Sequence, residues 1–277
     1  MKRFIIILIL SFVTIQSQAQ FLERSEFGVT VGVGNYFGDI NPKYNFYKTN
    51  LMIGAIYRYN INPRWVLKAS AMFGKVEAYD ADFDNIRNLN FESKVNELAL
   101  SCEFNFFDYQ TGSRQHRITP YIFGGIGVFF FNPKTEITDP LSMEKQWVEL
   151  QTLSTEGQGM PGYDSPYSLV NVAVPFGLGL KVSISKRVCI GMEWGIRMTF
   201  TDYLDDVSKD YVDRAELTSW SGDLGVAASD RTYEIIPNTY NQAGSMRGNP
   251  KVNDWYQFFG LTITTKLNYF KSKCNTF

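Results

Sequence analysis

Hydrophobic and polar residues alternate along most of this chain, most clearly from Arg187 onward. In RVCIGMEWGIRMTFTDYLDD (187–206), Ile190, Met192, Trp194, Ile196, Met198 and Phe200 fall on one face. Cys189, Gly191, Glu193, Gly195, Arg197 and Thr199 fall on the other. A period of two predicts a strand, because successive side chains point to opposite faces. The strand is longer than most in soluble sheets. Its large apolar side chains share one face, and its glycines and charges share the other. That is the pattern of a strand with lipid outside and a narrow, packed lumen inside. The alternation stops at an acidic segment, Asp202–Asp206.

The same unit recurs. Strands are predicted over Glu26–Tyr36, Asn50–Asn60, Trp65–Tyr79, Ser93–Phe107, Ile118–Phe131, Leu169–Ser185, Arg187–Phe200 and Trp255–Phe270. Ser93–Phe107 is the cleanest: Leu98, Leu100, Cys102, Phe104 and Phe106 face out, and Glu97, Ser101, Glu103 and Asn105 face in. In ITPYIFGGIGVFFF (118–131) both faces are apolar or Gly, so the register stays open. The connections alternate long and short. Phe37–Thr49, Asp80–Glu92, Asn132–Ser168 and Thr201–Asp254 are long; the turns around Asn62-Pro63, Asp108–Arg117 and Ser185–Arg187 are short. The predicted fold is all-β, an eight-stranded antiparallel transmembrane β-barrel. Its long loops are expected outside the cell, with the short turns and both termini in the periplasm. A soluble eight-stranded barrel would reverse the faces, apolar inward and polar outward.

Composition sharpens this. Met1-Lys2-Arg3, an apolar run Phe4–Val13 and small residues at Ser17 and Ala19 read as a signal peptide over 1–19, leaving 20–277 as the barrel domain. The apolar run is too short to span a bilayer as a helix. The expected location is the bacterial outer membrane, with its lipid as a contact. Aromatic residues make up 16% of the chain, which suits girdles at two membrane interfaces. Mean hydropathy is −0.18, because alternating strands hide a lipid face from any average. A net charge of −1 gives no reason to expect a nucleic-acid partner. Cys102, Cys189 and Cys274 are odd in number and lie on distant elements, which argues against a disulfide scaffold. They read as two small apolar fillers and a tail thiol.

Arg58, Lys68, Glu97, Glu103, Lys181, Glu193, Arg197 and Lys266 fall on the inward face. Eight strands enclose a space that side chains fill. Unpaired charges there are costly, so a connected ion-pair network is expected, closing the barrel to ions. The turn side is base-rich, with Arg64, Arg114, Arg117, Lys186, Arg187, Lys271 and Lys273 against Glu23, Glu26 and Asp108. Such a rim meets phosphate head groups or docks a protein partner. No catalytic, cofactor or metal site is assigned. His116 sits between Arg114 and Arg117 and reads as a solvated turn residue. Asp202, Asp205 and Asp206, in a predicted outer loop, offer oxygens to calcium but lack the spacing of an EF-hand loop. The other reading of these aspartates is turn capping and loop anchoring. Gly-rich pieces such as GLGL (177–180) lie in strands and open no helix, so they cradle no phosphate.

Four stretches taken together carry a resemblance: GVGNYFGDINP (32–42), FGGIGVFFFNP (123–133), FTDYLDDVS (200–208) and RGNPKVNDWYQFFGLT (247–262). The chain resembles, over essentially its whole mature length, the PorG-type outer-membrane β-barrel family of the type IX secretion system. The resemblance implies an accessory barrel that associates with a periplasmic ring made by a lipoprotein and its partner subunit. A non-enzymatic component of that apparatus is therefore expected. Two other readings are a free-standing barrel, structural or passing small solutes, and an enzyme acting on membrane lipid.

Overall fold

A computed structural model describes residues 24–43, 46–83, 85–138 and 143–267. Among them, ten strands form. They are β1 (Ser25–Phe37), β2 (Asn50–Asn60), β3 (Trp65–Tyr79), β4 (Asn90–Asn105), β5 (Ile118–Phe130), β6 (Pro133–Thr138), β7 (Lys145–Glu149), β8 (Val170–Ser183), β9 (Val188–Thr199) and β10 (Trp255–Lys266). Each of β1, β2, β3, β4, β5, β8, β9 and β10 pairs antiparallel with two neighbours. The β3–β4 pairing completes the ring, and β1 meets β10 over Glu26–Phe37. The result is a closed eight-stranded antiparallel barrel.

The two faces separate as the alternation requires. Val29, Ile53, Leu67, Leu98, Leu100, Ile126, Leu178, Met192, Leu261 and Ile263 are exposed around the outside. Arg58, Lys68, Glu97, Glu103, Lys181, Glu193 and Arg197 are buried inside. In water this inversion would leave a large apolar belt uncovered; in a bilayer the lipid covers it. The chain is a membrane-spanning barrel of the outer-membrane type.

The register of β5, which both apolar faces left open, is set by volume. Tyr121, Phe123 and Phe129 point inward, and Ile122, Ile126, Val128 and Phe130 point outward. Glycines facing them make room. A Cβ on Gly179 would lie 2.4 Å from the Tyr121 ring, and one on Gly195 would lie 2.7 Å from the Phe123 ring.

Several expectations are corrected. β4 starts at Asn90 rather than Ser93, and residues 268–270 of the last expected strand lie outside the described residues, as do 1–19, Lys271 and Lys273. The stretch 132–168 is not plain loop, since β6 and β7 form a hairpin that continues the sheet from the start of β4. Within 201–254 lies a helix, α1 (Arg214–Ser229). Asp213 starts it by accepting hydrogen bonds from the Ala215 and Glu216 amides. Gly222, at φ 70°, kinks it with a conformation that suits glycine. Lys266 is half-buried at the short-turn end, where the wall no longer encloses it, opposite Glu26 in the register. Glu26, expected on the rim, is buried in the lumen.

Candidate functional site: the lumen and its cap

Two layers of paired charges fill the bore. In the larger layer Glu103 of β4 is the hub. Its Oε1 lies 2.9 Å from Arg58 Nε and its Oε2 lies 2.6 Å from Lys181 Nζ. Lys68 Nζ stands 3.6 Å from Glu103 and 2.7 Å from Glu193. Tyr121 donates to Glu193 at 2.8 Å. Aromatic faces take up the remaining field of the ammonium groups: Lys68 sits 3.9 Å from the Phe123 ring centre and Lys181 sits 4.6 Å from that of Tyr121. Glu26 lies nearby, held by Thr111 at 2.5 Å and Thr264 at 2.9 Å. Arg58, Lys68 and Lys181 are thus balanced by Glu103, Glu193 and Glu26.

In the second layer Arg197 Nε meets Glu97 Oε2 at 3.1 Å, and Tyr256 donates to the same oxygen at 2.7 Å. These positions come from several different strands. The period-two pattern alone turns them to one side, and closure of the barrel brings them together.

Beyond this layer the bore ends in an apolar plug. Tyr36, Val76, Phe91, Val95, Phe129 and Tyr256 from the strands pack with Ile40, Leu150, Leu204, Val207 and Ala228 from the loops. Segment 201–208 supplies Leu204 and Val207, and its acids anchor the plug. Tyr36, on β1, hydrogen-bonds through its hydroxyl to both Asp205 and Asp254, the latter at 2.7 Å. One phenolic hydrogen serves one carboxyl, so the other carboxyl must hold a proton and donate it to the phenol oxygen. Asp254 also accepts from the Leu204 amide at 2.8 Å, and Asp205 from the Val207 amide at 2.9 Å. Asp206, at φ 66°, accepts from Thr155 and from Tyr167.

Arg247 ties this segment to the next. It meets Glu156 at 2.8 Å, donates to the Asp206 carbonyl and donates to the Ser229 carbonyl at 3.1 Å. Glu156 accepts from the Ser208 amide at 2.9 Å. Asp39 accepts from the Asn249 amide at 2.6 Å, and Arg87 clasps Asp80 while donating to the carbonyls of Asp39 and Arg247. Residues from all four long connections are therefore interlocked over one end of the barrel.

Burial with few cations sets the protonation of these acids. Burial and the neighbouring Asp39 and Glu156 push Asp202 up to about 8. Burial pushes Asp206 up to about 6 against the pull of Arg247. Asp205 and Asp254 lie well above the usual carboxylate range, chiefly through burial.

Asp202, Asp205 and Asp206 are buried, not a solvated acidic loop surface. Asp205 turns to Tyr36 and Asp206 to Thr155 and Tyr167, so the two do not share a partner. Among the described residues, no three His, Cys, Asp or Glu side chains gather as metal ligands. At the opposite end Arg114, His116, Arg117, Lys186 and Arg187 are exposed in the short turns, and Arg64 pairs with Asp108 at 2.5 Å. Sequence reasoning missed Arg247, Glu156 and Arg87, whose pairing needs three loops at once. It also missed Tyr36 as a ligand of the acids. Its place on the inward face of β1 was the available signal.

Solved structures similar to this chain are outer-membrane barrels. One is Ail, the attachment invasion locus protein of Yersinia pestis, in complex with the heparin analogue sucrose octasulfate, at 10% identity and a TM-score of 0.40, covering 87% of this chain and 96% of that one. Another is Neisserial surface protein A, at 7% identity and a TM-score of 0.41, covering 87% and 96%. A third is a major outer membrane protein from Thermus thermophilus, at 13% identity and a TM-score of 0.41, covering 87% and 98%. Among curated proteins, none matches the chain. Residues 2–151, more than half of the chain, match the family described as domain of unknown function DUF6089, and the chain belongs to that family.

Proposed function

We propose that this chain is a non-enzymatic outer-membrane barrel of the type IX protein secretion apparatus, docked on its periplasmic ring. The doubly closed bore carries the structural half of this reading. Ion pairs fill the lumen and interlocked loops seal one mouth, which disfavours a small-solute pore as the runner-up. The secretion half rests on the resemblance. Three of the stretches that carry it, through Asp39, 201–208 and 247–254, are the ones that meet in the cap.

Docking would use the end with short turns, where Arg114, Arg117, Lys186 and Arg187 are exposed. A stable interface needs about 800 Å² from each partner. Three short turns supply little of that alone, so both chain ends would contribute. Rim charges mainly set association rate and salt sensitivity. Reversing Arg114, Arg117, Lys186 and Arg187 to Glu should release the ring lipoprotein and its partner subunit in mild-detergent pull-downs, with the barrel still inserted. Unchanged yield of both ring proteins from the quadruple variant, at low and high salt, would show that this face is not the docking surface.

A further inference from the structure

The β6–β7 hairpin stands on the capped end and leaves one sheet edge open. Its inner edge is covered. The Glu136 amide donates to Asn90 Oδ1 at 3.2 Å, and the Glu136 carbonyl accepts from Arg231 Nη1 at 2.9 Å. Both groups therefore point away from β7. Glu136 faces Trp147 in the register. In an antiparallel ladder, opposed residues alternate between pairs that exchange hydrogen bonds and pairs that do not. Glu136 and Trp147 form a pair of the second kind, so the Trp147 amide and carbonyl also point away from the hairpin. By the same alternation, so do those of Lys145 and Glu149. The Glu149 carbonyl is taken by Thr152 at 2.9 Å. Among the described residues, no strand lies beyond β7. Trp147 is 41% exposed beside this edge.

We infer that the outer edge of β7 is a strand-addition site for an extended segment of another polypeptide on the capped side of the membrane. An open edge supplies main-chain hydrogen bonds, and alternate side chains supply selectivity. Here Lys145, Trp147 and Glu149 line one face of the strand. Lys145 meets Glu136 at 3.5 Å and Glu149 meets Lys134 at 3.0 Å across the hairpin, yet both stay exposed toward the open edge. As second partners they favour an antiparallel segment with an acid opposite Lys145, an aromatic or β-branched residue opposite Trp147 and a base opposite Glu149. A second copy of β7 has that charge pattern, yet it fits poorly. A twofold axis between identical antiparallel strands stands perpendicular to their sheet. This sheet continues through β4 into the barrel wall, so the axis would turn the second barrel upside down in the membrane.

The charge pattern supplies a probe. A blocked peptide with the sequence of residues 144–150, EKQWVEL, is complementary to the edge when antiparallel. Added to the purified barrel in detergent, it should slow exchange of the Lys145 and Trp147 amides. The charge-exchanged peptide EEQWVKL should bind about fivefold more weakly, since two attractive cross-strand pairs become repulsive. Trp147→Pro removes an outward-pointing donor without touching the β6–β7 ladder, and should abolish binding. Exchange of the Gln146 and Val148 amides, which face β6, reports whether the hairpin stays folded in that variant. If it does not, Lys145→Pro makes the same test one pair along. Equal binding of both peptides, no added protection, or undiminished binding to a folded proline variant would overturn the assignment. So would a barrel dimer that Trp147→Pro dissolves, because a second copy would then fill the edge.

Discussion

At the scale of single residues, Glu103 holds the larger lumen layer together. Three cations within 3.6 Å share its carboxylate, and all four side chains are buried. Removing one member of a buried ion cluster leaves the others desolvated and uncompensated, which costs about 3–5 kcal/mol. Glu103→Gln keeps the shape and removes the charge, so it should lower stability by about that amount in urea unfolding from lipid vesicles. An unchanged midpoint would mean that ring packing, and not charge, holds the bore. Most of this layer was legible, because strict alternation assigns Glu103, Lys68 and Arg58 to one face whatever their partners. Glu26 and Lys266 were not. Both sit at strand ends, where alternation has neighbours on one side only and cannot tell a lumen position from a rim position.

At the scale of elements, segment 201–208 carries acids whose protonation differs between the folded and the unfolded cap. Asp202, Asp205, Asp206 and Asp254 all have folded pKa values above the unfolded carboxylate value of about 3.9. The folded cap therefore binds more protons than the unfolded loop. Its stabilisation is complete below about pH 4 and declines as pH rises through about 6, for Asp206, and about 8, for Asp202. Amide exchange at Leu204 and Val207, corrected for its intrinsic pH dependence, should show less protection at pH 8.5 than at pH 5. Asp202→Asn should flatten the upper part of that change, and a pH-independent protection factor would contradict the assignment. The barrel strands could be read from sequence because lipid and lumen impose opposite demands on their faces. The hairpin and α1 could not. In PKTEIT (133–138) neither face meets lipid, so Lys134 and Glu136 alternate with a buried row of Pro133, Thr135 and Ile137 that looks like a loop composition. In α1 only Leu217 is buried before the Gly222 kink, while Gly225, Val226, Ala227, Ala228 and Ser229 are buried in a consecutive run after it, and no helical stripe results.

At the scale of the whole molecule, two closures in series block the bore: ion pairs in the lumen and the apolar plug under the loops. The closures rest on different residues, so loosening one should not open a channel. In planar bilayers the native barrel should carry no steady current, and neither should Tyr36→Phe, although that change should leave one of the Asp205 and Asp254 carboxyls short of a donor and the other short of an acceptor. A stable open level in Tyr36→Phe alone would show that the lumen layers leave a path for ions. The bond from Tyr36 to Asp254 also crosses the seam where the first strand meets the last, since Tyr36 is near the end of β1 and Asp254 immediately precedes β10. A barrel comes apart most readily where its terminal strands part. Here the seam cannot open from the capped end until the four interlocked connections have let go. The cap therefore acts on the rate at which the barrel is lost and not only on its equilibrium stability: a chain with a weakened cap would insert normally and disappear sooner.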